Sequence, residues 1–182
     1  MRKFVALDID GVLADIVPSM IAEWGEPKRW DVHNAALSYG MSEEDVVAVF
    51  GSPAFVEAMV PLAGAVEAAW ELANAGYEIH YMTCRPREVA QATIAWLKKY
   101  NFPGGKIFHM LSGPEKAWMV IRGNYEFLVE DHPTTAAEVA EYKLVFIVQD
   151  EAWPYAMQGY GDALPVSSLA GAVEWLKEVG GA

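Results

Sequence analysis

The stretch Phe4-Val5-Ala6-Leu7-Asp8-Ile9-Asp10-Gly11 constrains this chain more than any other. Four apolar residues run into two acids and a glycine, the pattern of a short buried strand that ends in a D-x-D-G turn. Two carboxylates at the end of a buried strand need a counter-charge, because each is costly when buried unpaired. A hard divalent cation with oxygen ligands is an economical partner. Gly11 allows a sharp turn in a backbone conformation that other residues avoid. The alternative at this point is a strand leading into an acidic surface turn, and the rest of the chain decides between the two.

The chain has 182 residues, enough for one domain with a small insertion, and its 53% hydrophobic and 21% charged residues suit a packed core. A net charge of −12 argues against a nucleic-acid polymer and against an anionic membrane surface as partners. A small anionic substrate stays compatible only where the site carries its own positive charge. The single cysteine, Cys84, excludes an intramolecular disulfide and fits a cytoplasmic setting. Met1-Arg2-Lys3 imitates the start of a signal segment, but the apolar run after it stops at Asp8. No stretch approaches the length of a transmembrane helix. Seven tryptophans leave room for an apolar homodimer face that nothing in the sequence locates.

Apolar runs alternate with helical patterns. Helices are predicted over 14–24, 64–75, 86–100, 114–122, 134–142 and 169–179, and strands over 77–82, 106–111, 126–129 and 144–148. The 64–75 helix is expected to bury Val66, Ala69, Trp70 and Ala73. The fold class is therefore α/β, a Rossmann-like parallel sheet sandwiched by helices. Residues 15–62 break the alternation. Gly25-Glu26-Pro27 ends the first helix, 27–41 reads as irregular and aromatic-rich, and Ser42 and Ser52-Pro53 open two further helices. Residues 1–14 and 63–182 thus read as the α/β core, and 15–62 as a small helical cap inserted after strand 1.

In a parallel α/β sheet the site gathers at the carboxyl ends of the strands. Asp8 and Asp10 follow strand 1, and Thr83-Cys84-Arg85-Pro86 follow the 77–82 strand. Lys116 opens the helix after Leu111, and Glu130-Asp131 follow the 126–129 strand. Converging on one edge, these groups make a divalent-cation site beside an anion site.

This ordered set resembles the haloacid dehalogenase superfamily of phosphohydrolases over almost the whole chain. Asp8-Ile9-Asp10-Gly11-Val12 matches the first motif in full, and Thr83, Lys116 and Glu130-Asp131 match the other three. The resemblance implies that Asp8 attacks phosphorus and forms an aspartyl-phosphate. It implies that Asp10 protonates the leaving group and later activates water. Mg²⁺ would be held by Asp8, the Asp10 carbonyl and Asp131, with Glu130 acting through a water or behind the ligands. Thr83, the Cys84 amide and Lys116 would hold the phosphoryl oxygens.

Each residue has a plainer alternative. Thr83 suits a strand end, Lys116 an exposed first turn, and Glu130-Asp131 a solvated turn or helix cap. A lysine near a helix start opposes the dipole and asks for an anion. Cys84-Arg85 lacks the Cys-x5-Arg spacing of a cysteine phosphatase, because position 90 is Ala, and Cys84 reads as a packed thiol contributing its amide. No P-loop motif occurs. His33, His80, His109 and His132 make no metal-binding spacing, and His132 reads as structural despite its place beside Asp131.

Asp8 to Asp15 together with Thr83-Cys84-Arg85-Pro86 look most like the 5'(3')-deoxyribonucleotidase branch, whose cap lies between the first two motifs. That implies a small-molecule phosphomonoester substrate, a nucleoside monophosphate. Trp24, Trp30, Phe50 and Phe55 are candidates for the base pocket. Arg85 is a candidate substrate ligand or the partner of an acid such as Glu130. Where many relatives carry Asp-Asp-Arg, this chain has Glu130-Asp131-His132. A phosphatase for sugar phosphates or other small metabolites, a phosphomutase, a phospho-acceptor module and a binding protein without catalysis remain as other readings of the same residues.

Overall fold

The computed structural model describes residues 2–29, 34–149 and 159–179. Trp30 and His33, a candidate base-pocket aromatic and one of the four histidines, lie outside these residues.

Strand β1 (Lys3–Asp8) ends at the first acid. The turn after it closes on itself, with Leu13 and Ala14 N–H both donating to the Ile9 carbonyl at 2.8 Å. Ala14 and Asp15, expected in a helix, instead form β2 (Ala14–Asp15), which pairs antiparallel with β3 (Val60–Pro61). The backbone reason is visible: Leu13 carbonyl accepts from Leu62 N–H, so this segment is held extended, and the helix waits for Pro18 in its first turn.

Among the described residues four helices lie between β2 and β3: α1 (Val17–Trp24), α2 (Ala35–Tyr39), α3 (Glu43–Phe50) and α4 (Pro53–Ala58). Short helix α2 falls where the sequence reads as irregular. Asn34 starts it by accepting a hydrogen bond from Leu37 N–H, and Gly40 ends it in the left-handed region. Ser42 caps α3 as predicted, accepting from Asp45 N–H. Trp24, Phe50 and Phe55 pack on one another inside this segment.

The remaining elements alternate: α5 (Ala65–Asn74), β4 (Tyr77–Thr83), α6 (Ala90–Lys99), β5 (Lys106–His109), α7 (Gly113–Arg122), β6 (Tyr125–Glu130), α8 (Pro133–Ala140), β7 (Leu144–Val148), β8 (Leu164–Val166) and α9 (Leu169–Val179). A single 3₁₀ turn over Arg87–Val89 precedes α6. Six strands form a parallel sheet in the order β5-β4-β1-β6-β7-β8.

Side chains alternate across the sheet, as a strand requires. Val5, Leu7, Ile79, Tyr81, Phe127 and Phe146 pack into one core with Ala68, Ala69 and Leu72 of α5, Trp96 and Leu97 of α6 and Leu169 and Val173 of α9. Ala6, Met82, Leu128 and Ile147 pack into a second core with Ala117 and Val120 of α7 and Ala136 and Val139 of α8. Strands buried on both faces read as unbroken apolar runs, which explains why the sequence locates them. The buried side of α5 is Ala65, Ala68, Ala69 and Leu72, whereas Trp70 turns to the rim and donates its indole N–H to the Asn101 carbonyl at 2.7 Å. Among the described residues no helix is long and apolar enough to cross a membrane.

Candidate active site

β1 lies between β4 and β6, so the three loops that follow these strands meet at one edge. They wall a cavity of about 440 Å³ whose lining includes Asp8, Asp10, Gly11, Cys84, Arg85, Lys116, Glu130 and Asp131. Thr83 stands apart from this set: it is fully buried behind the loop, and its hydroxyl accepts from Arg85 N–H at 3.1 Å.

Lys116 sits one turn into α7, a helix capped by Ser112, and its ammonium is buried. Its Nζ lies 2.8 Å from Asp8 Oδ1 and 3.0 Å from Glu130 Oε2. The other oxygen of Glu130 accepts from Asp131 N–H and His132 N–H at 3.2 and 3.1 Å. Glu130 therefore holds both the lysine and the turn that presents Asp131, and it is completely enclosed.

Oxygens of Asp8, Glu130 and Asp131 come within 4.8 Å of one another. Three carboxylates gathered around one ammonium are a set of hard oxygen ligands of the kind that takes a divalent cation. Burial, with Glu130 and Asp10 nearby, raises the Asp8 carboxyl to about 7 despite Lys116. Burial and the charges of Asp8 and Glu130 push Asp131 well above the carboxylate range. Burial would also raise Glu130, but Lys116 and the turn N–H groups keep it below its ordinary value. Burial alone would lower Lys116, and its two carboxylates overcome that and hold it firmly protonated. This donor set of hard carboxylate oxygens fits Mg²⁺.

Asp10 is paired with Arg85 rather than with the lysine. The guanidinium Nη2 donates to Asp10 Oδ1 at 2.6 Å and Nε to Oδ2 at 2.9 Å. The arginine's partner is thus the acid in the turn itself, where the sequence suggests substrate or Glu130. Cys84, expected to be packed, is exposed at the cavity mouth. Partial enclosure and the surrounding carboxylates push its thiol up to about 11, which leaves it a poor nucleophile.

The opposite wall comes from the helical segment: Ile16, Val17, Met20, Ala35 and Phe50, with Asn34 at its edge. Of the aromatics singled out in the sequence, Phe50 alone of the described ones reaches the cavity; Trp24 and Phe55 build the segment's interior. Ile16, Val17 and Met20 are the residues sequence reasoning passed over, and their spacing on a helix just after the D-x-D-G turn is the signal that marks them. His132, read as structural, lies in the wall with Thr134, Thr135 and Glu138.

A family model, the LNS2 domain of PITM 1-3, matches residues 38–120, which take in Thr83 to Arg85 and Lys116 but neither acidic pair. A protein of Oceanobacillus iheyensis whose name proposes it as a nucleotidase is 27% identical over 50% of this chain and 49% of its own length. One of Bacillus cereus, named likewise, is 28% identical over 58% of this chain and 57% of its own. The chain thus spans about half the length of the curated relatives it matches.

Solved structures align over nearly the whole chain. A hydrolase from Pseudomonas syringae gives a TM-score of 0.64 at 15% identity, covering 98% of this chain and 99% of its own. L-2-haloacid dehalogenase from Xanthobacter autotrophicus gives 0.60 at 14%, covering 97% and 99%. D,D-heptose 1,7-bisphosphate phosphatase from B. bronchiseptica, complexed with magnesium and phosphate, gives 0.60 at 16%, covering 98% and 99%.

Proposed function

We propose, from the haloacid dehalogenase fold that this chain shares, that it is a Mg²⁺-dependent phosphomonoesterase acting on nucleoside monophosphates. The observation that carries the proposal is the buried Asp8–Lys116–Glu130 cluster beside Asp131, with Asp10 in the same cavity wall. Asp8, Asp131 and the Asp10 carbonyl would hold the cation, with Glu130 behind them. Held there, the cation would offset the repulsion between a carboxylate nucleophile and a phosphate.

In the first half-reaction an Asp8 oxygen forms a bond to phosphorus while the bond to the leaving oxygen breaks. That oxygen takes the proton of the Asp10 carboxyl and departs as the alcohol. Asp8 is then an acyl phosphate. In the second half Asp10, now a carboxylate, takes a proton from water, and the hydroxyl attacks phosphorus. The Asp8–phosphoryl bond breaks and inorganic phosphate leaves. The Lys116 ammonium and the Cys84 backbone N–H bind the phosphoryl oxygens. Thr83 adds to this by fixing the loop through its hydroxyl.

Residues 15–62 act as the cap that selects the substrate. Its wall of Ile16, Val17, Met20, Ala35 and Phe50 suits a flat, uncharged group such as a nucleobase. Among the described lining residues the cations are Arg85 and Lys116, both already paired, which favours one phosphate and disfavours a bisphosphate. The names of the two curated relatives favour the same substrate class.

A panel of deoxy- and ribonucleoside monophosphates, sugar phosphates and bisphosphates, incubated with Mg²⁺ and assayed for free phosphate, tests this. Nucleoside monophosphates should be hydrolysed fastest, and Asp8→Asn should be inactive. Release from sugar phosphates alone would remove the nucleotidase assignment and keep the phosphatase.

A further inference from the structure

We infer that Arg85 is a positioning residue for Asp10 and not a substrate ligand, an inference that rests on the phosphomonoesterase assignment above. An arginine in the wall of a phosphate site invites the opposite assignment, but its environment decides. The Arg85 side chain is only 1% exposed, whereas that of Asp10 is 19% exposed, so the acid faces the cavity and the base lies behind it. Both carboxylate oxygens of Asp10 accept from the guanidinium in a two-point fork, which fixes the plane of the carboxylate and not only its distance.

The fork is itself held from behind. Nη1 donates to Thr93 Oγ1 at 3.3 Å, and Nη2 contacts Met59 Sδ at 3.3 Å. The guanidinium carbon stands 5.8 Å from the centre of the Trp96 ring. The Arg85 backbone is pinned at both ends, by Thr83 Oγ1 on its N–H and by His109 Nδ1 on its carbonyl. Met59, which follows α4, is anchored in turn: its carbonyl accepts from Trp96 Nε1 at 2.9 Å and from the Tyr100 hydroxyl at 3.2 Å. Asp10 is therefore oriented by a chain of contacts running through α6 to the last helix of the cap. With its donors directed at protein atoms, Arg85 has the shape of a brace for the proton-transfer group.

The test exploits leaving groups. A nucleoside leaves as an alkoxide and needs the Asp10 proton, whereas p-nitrophenolate leaves without one. In Arg85→Lys, phosphoenzyme formation from a nucleoside monophosphate should slow about 100-fold, with KM changed less than about threefold. The p-nitrophenol burst should slow less than about fivefold. In an Asp10→Asn background the same substitution should cost less than about twofold, because the group it positions no longer transfers a proton. Thr93→Val, which removes only the hydroxyl behind the fork, should give the same leaving-group pattern in milder form, and it serves should Arg85→Lys fold poorly.

A KM raised tenfold or more with kcat retained would make Arg85 a substrate ligand and overturn the inference. Equal slowing with both leaving groups would reduce Arg85 to a structural role and overturn it as well. A wild-type chain that releases phosphate from neither ester would fail the phosphomonoesterase assignment itself, a result distinct from both.

Discussion

Gly11 has no room for a side chain on the face it turns to Asp131: a Cβ there would overlap the Asp131 carboxylate. Gly11 also lies at φ 76°, in the left-handed region. The glycine of the D-x-D-G turn thus does two things, turning the chain after Asp10 and letting the turn touch the acid at the end of β6. Gly11→Ala should lose about 1 kcal/mol from backbone strain alone. It should also weaken Mg²⁺ binding about tenfold or more, since Asp131 must move to admit the methyl group. Calorimetric titration of Mg²⁺ beside a urea melt separates the two effects.

Lys116 is the ammonium shared by Asp8 and Glu130. Lys116→Met should destabilise the chain by about 3–5 kcal/mol at pH 8, the cost of leaving buried carboxylates unpaired. The deficit should shrink at pH 5, where the acids take up protons, and added Mg²⁺ at pH 8 should recover part of it. Urea melts at the two pH values, with and without Mg²⁺, measure this. A variant as stable as the wild type at pH 8 would contradict the pairing of Lys116 with Asp8 and Glu130.

Asp8 has an ordinary value of 3.8 and stands at about 7 in the folded, metal-free chain. Between these values the folded chain keeps a proton that the unfolded chain has released. By linkage its contribution to stability therefore falls as pH rises from about 4 through about 7, and is flat above. Mg²⁺ must displace that proton and the one that burial holds on Asp131, so its affinity should rise with pH across this window. Asp8→Asn should reduce the pH dependence of the metal-free melting temperature across this window.

Phe50 is the described aromatic of the helical segment that lines the cavity. Phe50→Ala should raise KM for nucleoside monophosphates about tenfold, the loss of roughly 1.4 kcal/mol of aromatic contact. It should leave KM for glycerol phosphate, which has no ring to lose, near the wild-type value. Equal effects on both substrates would move the base pocket elsewhere.

The six-stranded core was legible because central parallel strands are apolar on both faces, and the acids that interrupt those runs stand out at the strand ends. Ala14–Asp15 was not, because a two-residue strand has no period to detect and is fixed by Leu62 and Val60 far along the chain. The α5 stripe failed for a related reason. Hydrophobicity favours Trp70, but close packing on the sheet favours the alanines at 65, 68 and 69 and lets the indole bond at the rim. Asp8, Asp10, Lys116, Glu130 and Asp131 declared themselves by type and order. Arg85 did not declare its partner, because only the fold brings Asp10, Thr93 and Met59 around one guanidinium.

The most direct test of the central claim is to catch the phosphoryl group on the chain. Mixing with a nucleoside monophosphate and Mg²⁺, quenching in acid and mapping peptides by mass spectrometry should locate one phosphoryl group on Asp8. That group should be labile to hydroxylamine, as an acyl phosphate is, and absent from Asp8→Asn. Turnover without any phosphorylated Asp8 under rapid quench, or undiminished turnover in Asp8→Asn, would contradict the assignment of Asp8 as nucleophile.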